Sequence, residues 1–274
     1  MMKRLGVALV ALSSVASAQG RPFSFTVPFP DETPQSVVRY DGGWSNGSFE
    51  PLSGDHIQQT SELDSPIGSR VLLMMSGGIA FEGPAADPKL EPHSPTRRSM
   101  EQVETLVDVL RFSGWHLAAS AGVRHDFDGS VQALSRLSLS RATPTWLFAA
   151  NVYATKPIQG AVLSPKDIPW ADVTASVGAT ANVTPGVSLG VETVASNAES
   201  LVSHGLTGSA AIFLGPLASF ALPGHRARLT VSGGPIIQTS HGFVSSYAGI
   251  GKYSMPLHAG QTGYNLRLAV SFGL

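Results

Sequence analysis

From about residue 36 onward the chain is a succession of short stretches in which apolar and polar residues alternate one by one. In the last stretch Tyr264, Leu266, Leu268, Val270, Phe272 and Leu274 are apolar, and Asn265, Arg267, Ala269, Ser271 and Gly273 stand between them. Side chains of a strand alternate between its faces, so this reads as a strand with one apolar face. Ala171, Val173, Ala175, Val177, Ala179, Ala181 and Val183 repeat the pattern, and Thr184-Pro185-Gly186 turns the chain into Val187, Leu189 and Val191. Trp115, Leu117, Ala119, Ala121, Val123 and Phe127 oppose His116, Ser120, Arg124 and Asp126, with His125 interrupting the apolar row. Residues 131–141, 146–154 and 226–232 behave alike. Val71, Leu73, Met75, Gly77, Ile79 and Phe81 share a face, although Leu72 and Met74 make the opposite face apolar as well. Fainter strands are predicted at 36–49 and 56–63, and a further strand at 204–218. Residues 101–112 alternate too, with a helix as the rival reading because 100–110 is rich in helix formers.

The connections alternate in length. Thr184-Pro185-Gly186 and Pro223-Gly224 are short, whereas 156–169 and 239–263 are long, as is the Pro-rich 83–100. Asp128-Gly129 is a further hairpin signal. Short turns on one side and long loops on the other are the habit of outer-membrane barrels, and the strand count comes to about twelve, an even number. The expected fold is an antiparallel up-and-down transmembrane β-barrel over residues 36–274. An exported β-sandwich would also alternate, but it would carry denser charge than the 14 % found here. Soluble chains average about a quarter charged residues.

Lipid imposes the closed form. A bilayer core offers no water to backbone amides, so a spanning sheet has to join its own edges. Apolar rows then face acyl chains and polar rows face the lumen. Arg124, Arg136, Asp172, Glu192, Arg226, Arg228 and Arg267 are the expected lumen-facing charges. They either pair and plug the lumen or line a narrow pathway and set its selectivity.

The start of the chain has the form of a secretory signal over residues 1–18: Lys3 and Arg4, an apolar run, then Ala16-Ser17-Ala18 as the cleavage site. No later stretch reaches the roughly 18 apolar residues of a spanning helix. Residues 19–35 hold Pro22, Pro28, Pro30 and Pro34 and read as a periplasmic lead-in, since proline cannot donate to a ladder.

Candidate chemistry is sparse. The chain has no cysteine, and its eight histidines show no metal-ligand spacing, so neither a metal nor a cofactor is expected. A formal charge of −1 without a basic patch gives nucleic acid no foothold. Gly186-Val187-Ser188-Leu189-Gly190 matches the nucleophile-elbow string, but that elbow joins a strand to a helix, and Ser188 falls inside a strand. No catalytic residue is assigned and the protein is not read as an enzyme.

The run His56-Ile-Gln-Gln-Thr-Ser-Glu-Leu, with Ile67-Gly-Ser-Arg-Val-Leu, resembles a hairpin of a broad family of bacterial outer-membrane barrels. So does the stretch from Trp170-Ala-Asp-Val through Val183-Thr-Pro-Gly-Val-Ser-Leu-Gly-Val-Glu192. These are the transporter-like proteins of the phenol-degradation meta-pathway group. The resemblance implies an exported barrel in the outer membrane that moves small, often hydrophobic or aromatic compounds, and it supplies no catalytic residues. The expected partners are membrane lipid, a small-molecule solute and, through the C-terminal strand, the outer-membrane assembly machinery. That strand departs from the usual ending by closing on Leu274 rather than Phe or Trp. The alternatives weighed are a structural or surface-interaction barrel working through its long loops and a barrel-embedded lipid hydrolase.

Overall fold

The structure is a computed structural model that describes residues 21–29, 35–46, 56–82, 96–126, 130–159, 172–196, 211–222, 226–238, 242–246, 253–257 and 262–274. The expected signal, the turns Asp128-Gly129 and Pro223-Gly224, and much of the long loops lie outside them. Twelve antiparallel strands form one closed barrel, and no helix is present among the described residues. The strands are β1 (Val37–Asn46), β2 (His56–Ile67), β3 (Val71–Glu82), β4 (Thr96–Phe112), β5 (Trp115–His125), β6 (Val131–Ala142), β7 (Trp146–Gln159), β8 (Asp172–Thr184), β9 (Val187–Ser196), β10 (Ala211–Leu222), β11 (Ala227–Gln238) and β14 (Thr262–Gly273). A separate two-stranded hairpin, β12 (Gly242–Ser246) and β13 (Tyr253–Leu257), rises from the connection between β11 and β14. It occupies part of what reads in sequence as one long loop.

Each barrel strand pairs with its chain neighbour, and the ring closes where β1 meets β14, from Val37 opposite Gly273 to Asn46 opposite Tyr264. Closure leaves no ladder edge in the hydrocarbon. Every barrel strand has at least the nine to eleven residues or so that a tilted crossing needs. The outer face is the apolar row: Leu266, Leu268, Val191 and Leu137 are each about half exposed. Aromatics gather at both ends of this belt. Phe112, Trp115 and Trp146 lie beside the short turns, while Trp44, Phe81 and Tyr264 lie toward the long loops. Arg141 stacks over Trp115 and Trp146 at 5.5 and 5.8 Å. Two aromatic girdles around an apolar band are what a bilayer with two interfaces selects.

Several boundaries differ from the sequence reading. β4 begins at Thr96, inside the expected loop, because β3 continues to Glu82 and offers a partner for each residue. The same stretch is a strand rather than a helix, its backbone paired with β3 and β5 on either side. β10 starts at Ala211 and runs on to Leu222, following β11 to Ala227. Gly186 turns β8 into β9 with φ +84°, a backbone that side-chain-bearing residues rarely adopt.

The termini of the barrel share one rim. β1 begins and β14 ends at the short-turn side, where Leu274 N donates to Ser36 O. Residues 21–29, part of the stretch read from sequence as a periplasmic lead-in, do not lie outside this rim. They enter the barrel and fill its interior from the short-turn rim past its middle, where Phe25 packs against Val194, Phe213 and Ile236 toward the long-loop end. The physical reason is that Phe23, Phe25, Val27 and Phe29 find apolar inward positions waiting: Val27 and Phe29 cluster with Leu72, Met74, Leu106 and Ala118. Phe23 packs with Ala149 and Leu217.

Candidate functional lumen

The internal segment is held mainly by its main chain. Glu192, fully buried on β9, accepts the amide of Ser24 on Oε2 at 3.0 Å and those of Phe25 and Thr26 on Oε1 at 2.9 and 2.6 Å. Successive amides converging on one anion form a nest. Here the segment supplies the nest and the wall supplies the anion. Asn151 Oδ1 accepts the Val27 amide at 2.6 Å, and Asn151 Nδ2 and Ser138 Oγ donate to the Val27 carbonyl at 3.0 and 2.7 Å. Ser140 Oγ accepts the Phe29 amide at 3.1 Å. Ser24 and Ser232 share a hydroxyl–hydroxyl bond of 2.5 Å.

Side chains finish the fit. Gly178 faces Phe23, and a Cβ there would come within 2.5 Å of the Phe23 ring. Phe25 meets Phe213 edge to face at 5.4 Å, and the Arg267 guanidinium lies 4.6 Å from the Phe25 ring centre. Phe29 stacks on His116 at 5.9 Å, and His116 Nδ1 sits 3.1 Å from the buried Asp108. The upper end is anchored by charge. Arg21 pairs with Glu62 at 2.9 Å, and Arg39 donates to the Arg21 carbonyl at 3.0 Å.

Between this segment and the long-loop end lies a cavity of about 250 Å³. Its wall carries Arg21, Arg39, Arg124, Arg136 and Arg267, against the carboxylates Asp41 and Glu62. Asp41 bridges Arg39 at 3.1 Å and Arg267 at 2.9 Å, tying β1 to β14 across the closing seam. Arg136 pairs with the fully buried Glu104 at 2.8 Å, which also accepts from Ser120 and Gln102. Arg124 reaches Asp126 at 2.6 Å and Gln132 at 2.9 Å. Arg136 also lies over the Tyr153 ring at 5.0 Å.

The charges read from the sequence divide as follows. Arg124, Arg136, Glu192, Arg228 and Arg267 point inward. Arg228 stands apart from the cavity, donating to Ser219 Oγ at 2.8 Å. Arg226 is exposed in the turn before β11, where its carbonyl accepts the Gly273 amide, because the strand begins one residue later than the reading assumed. Asp172 opens β8 opposite Thr155. Arg21, Arg39, Asp41, Glu62 and Glu104 were not among the expected charges. Asp41 and Arg39 escaped because Asp41-Gly42-Gly43 weakens the first strand. Glu104 escaped because its face in the sequence pattern also carries Leu106 and Leu110. Ser188 lies on β9 and donates to Asn182 Oδ1 at 2.8 Å, with no strand-to-helix turn around it. No group of metal-ligating side chains occurs among the described residues.

A closed twelve-stranded antiparallel barrel, apolar outside and polar within, is an outer-membrane β-barrel. Comparison with solved structures gives the same class. The chain is similar to the KdgM porin in complex with disordered oligogalacturonate, with TM-score 0.55 and 8 % identity over 87 % of this chain and 99 % of that one. It is similar to the COG4313 outer membrane channel from Pseudomonas putida F1, with TM-score 0.55 and 10 % identity over 93 % and 100 %. The NanC porin follows at TM-score 0.52 and 12 % identity over 86 % and 100 %. At such identities the likeness establishes the fold. No protein-family profile and no curated protein matches the sequence.

Proposed function

We propose that the protein is an outer-membrane channel for small solutes, favouring those that join a negative charge to an apolar or aromatic body. The observation that carries this reading is the cavity wall, where five arginines outnumber two carboxylates. Glu104 and Asp126, which pair with Arg136 and Arg124, are not part of that wall, so guanidinium edges face the space. A low-dielectric wall on which one sign of charge is in excess draws in the opposite ion.

Phe25 and Tyr153, each beneath an arginine, give the same space two aromatic faces. Together they suit aromatic or short aliphatic acids, which is how the expected aromatic cargo and the polar lumen fit one another. The volume of about 250 Å³ falls just below the roughly 300 Å³ at which small-molecule sites begin, so the cargo is small. The KdgM porin, which shares the fold, is seen with oligogalacturonate, and carboxylates of that kind suit these arginines.

Reversal potentials across planar bilayers under a salt gradient test the reading. Anion preference, reduced in Arg136→Gln, is expected. Cation preference would overturn it, as would silence from both the whole chain and a form lacking residues 21–29.

A further inference from the structure

Residues 21–29 join no strand ladder, although they lie against strands for their whole length. The barrel closes through β1 and β14 without them. Their removal therefore breaks hydrogen bonds to wall side chains and no β-pairing. The bonds are also of a kind that reads main chain. Glu192 takes three consecutive amides, and Asn151 with Ser138 takes both the amide and the carbonyl of Val27. The segment is tied to the wall covalently only through residues 30–36, which reach at most about 25 Å when extended. If processing follows Ala18 as expected, two residues precede Arg21, and the segment has a free end that can withdraw without threading a loop.

We propose that residues 21–29 are a releasable plug. Seated on Glu192, they seal the lumen from its short-turn mouth to its middle. Unseated, they swing out through the short-turn mouth and join the arginine-lined cavity above to the periplasm. The seat is then a binding site for an extended main chain, occupied in cis. Phe23, Phe25 and Phe29 drive seating by leaving water. The entropy of ordering nine residues opposes it. Opposed terms of this kind are what a two-state element needs if a modest bias is to shift it. The inference rests on the channel reading, since a plug has meaning only in a pore.

The chain has no cysteine, so an introduced pair reports on the seat alone. Ser24→Cys with Ser232→Cys places two thiols where the hydroxyls now lie 2.5 Å apart. The oxidised pair is expected to hold single channels shut in planar bilayers, and reduction to restore openings. Glu192→Ala is expected to raise open probability about tenfold, equivalent to about 1.4 kcal/mol. Equal conductance of oxidised and reduced protein would overturn the proposal, as would an unchanged open probability in Glu192→Ala.

A form lacking residues 21–29 separates the two readings. If it passes ions while locked and reduced forms conduct alike, only the plug falls. If it passes none, the channel falls and the plug with it. Heat-modifiable gel mobility checks that each variant is folded. Thr26→Cys offers a readout without a pore: its labelling by a bulky maleimide is expected to quicken about tenfold in the Glu192→Ala background, and an unchanged rate would count against release.

Discussion

Glu192 Oε1 and the amide of Thr26 lie 2.6 Å apart, joining two residues 166 positions distant in the chain across the middle of the barrel. Hydrogen bonds to a charged acceptor contribute about 1.5–3 kcal/mol each, and burying an amide without a partner costs a comparable amount. Glu192→Ala should therefore strip hydrogen-exchange protection from the amides of Ser24, Phe25 and Thr26 by at least tenfold, while amides of β8 and β9 keep theirs. Mass spectrometry of peptides covering 21–29 and 187–196 would decide it. Equal loss in both would place the effect in the barrel wall instead.

Gly178 and Phe23 make a second, purely steric claim. Gly178→Val puts atoms into the space the Phe23 ring occupies. The strand itself tolerates valine, a good strand former. The variant should fold, keep its heat-modifiable mobility and conduct more than the parent in bilayers. A folded Gly178→Val barrel with unaltered conductance and unaltered protection of 21–29 would show that the ring is accommodated elsewhere.

The closing seam depends on Asp41, which bridges Arg39 and Arg267 from within. Asp41→Asn leaves two buried guanidinium groups short of their counter-charge, a loss of about 3–5 kcal/mol for a broken buried pair. The temperature at which the compact gel form converts to the extended one should drop clearly. An unchanged transition would mean that the pairing of β1 with β14 holds the seam unaided.

The outward row carries a prediction about depth. Leu268 is half exposed near the middle of β14, and Ile67 is exposed at the end of β2. Arginine at a lipid-facing midplane position costs about 2–4 kcal/mol, and near an interface about 0–1. Folding of Leu268→Arg into lipid vesicles should weaken by several fold-tens relative to Ile67→Arg, measured by urea titration. Similar penalties at both positions would argue that lipid does not wet the mid-wall.

The barrel was legible because its signal is local. Alternation in 115–125, 172–191 and 264–274 is set by which face meets lipid, and each strand shows it independently. The plug was not, because its partners are spread over the whole chain. Its own trace was nevertheless present. Phe23, Phe25, Val27 and Phe29 alternate with Ser24, Thr26 and Pro28 inside a stretch whose prolines argued against a strand. Leu72 and Met74, apolar on a face expected to be polar, were its counterpart on the wall. Neither observation alone names the other. The charges divide on the same principle. Arg124, Arg136 and Glu192 lie on strongly patterned strands and could be assigned a face, whereas Arg226 lay at a boundary, where one residue decides between wall and turn.

The plug precedes β1 in the chain, and β1 is sealed by β14, which follows the other barrel strands in the chain. The segment is therefore available before the ring that encloses it is complete. The closing strand shuts a lumen whose lower contents precede its walls in the chain. A nascent barrel of this kind carries its own filling through biogenesis, and so avoids presenting an unguarded hole to the envelope at the moment it closes.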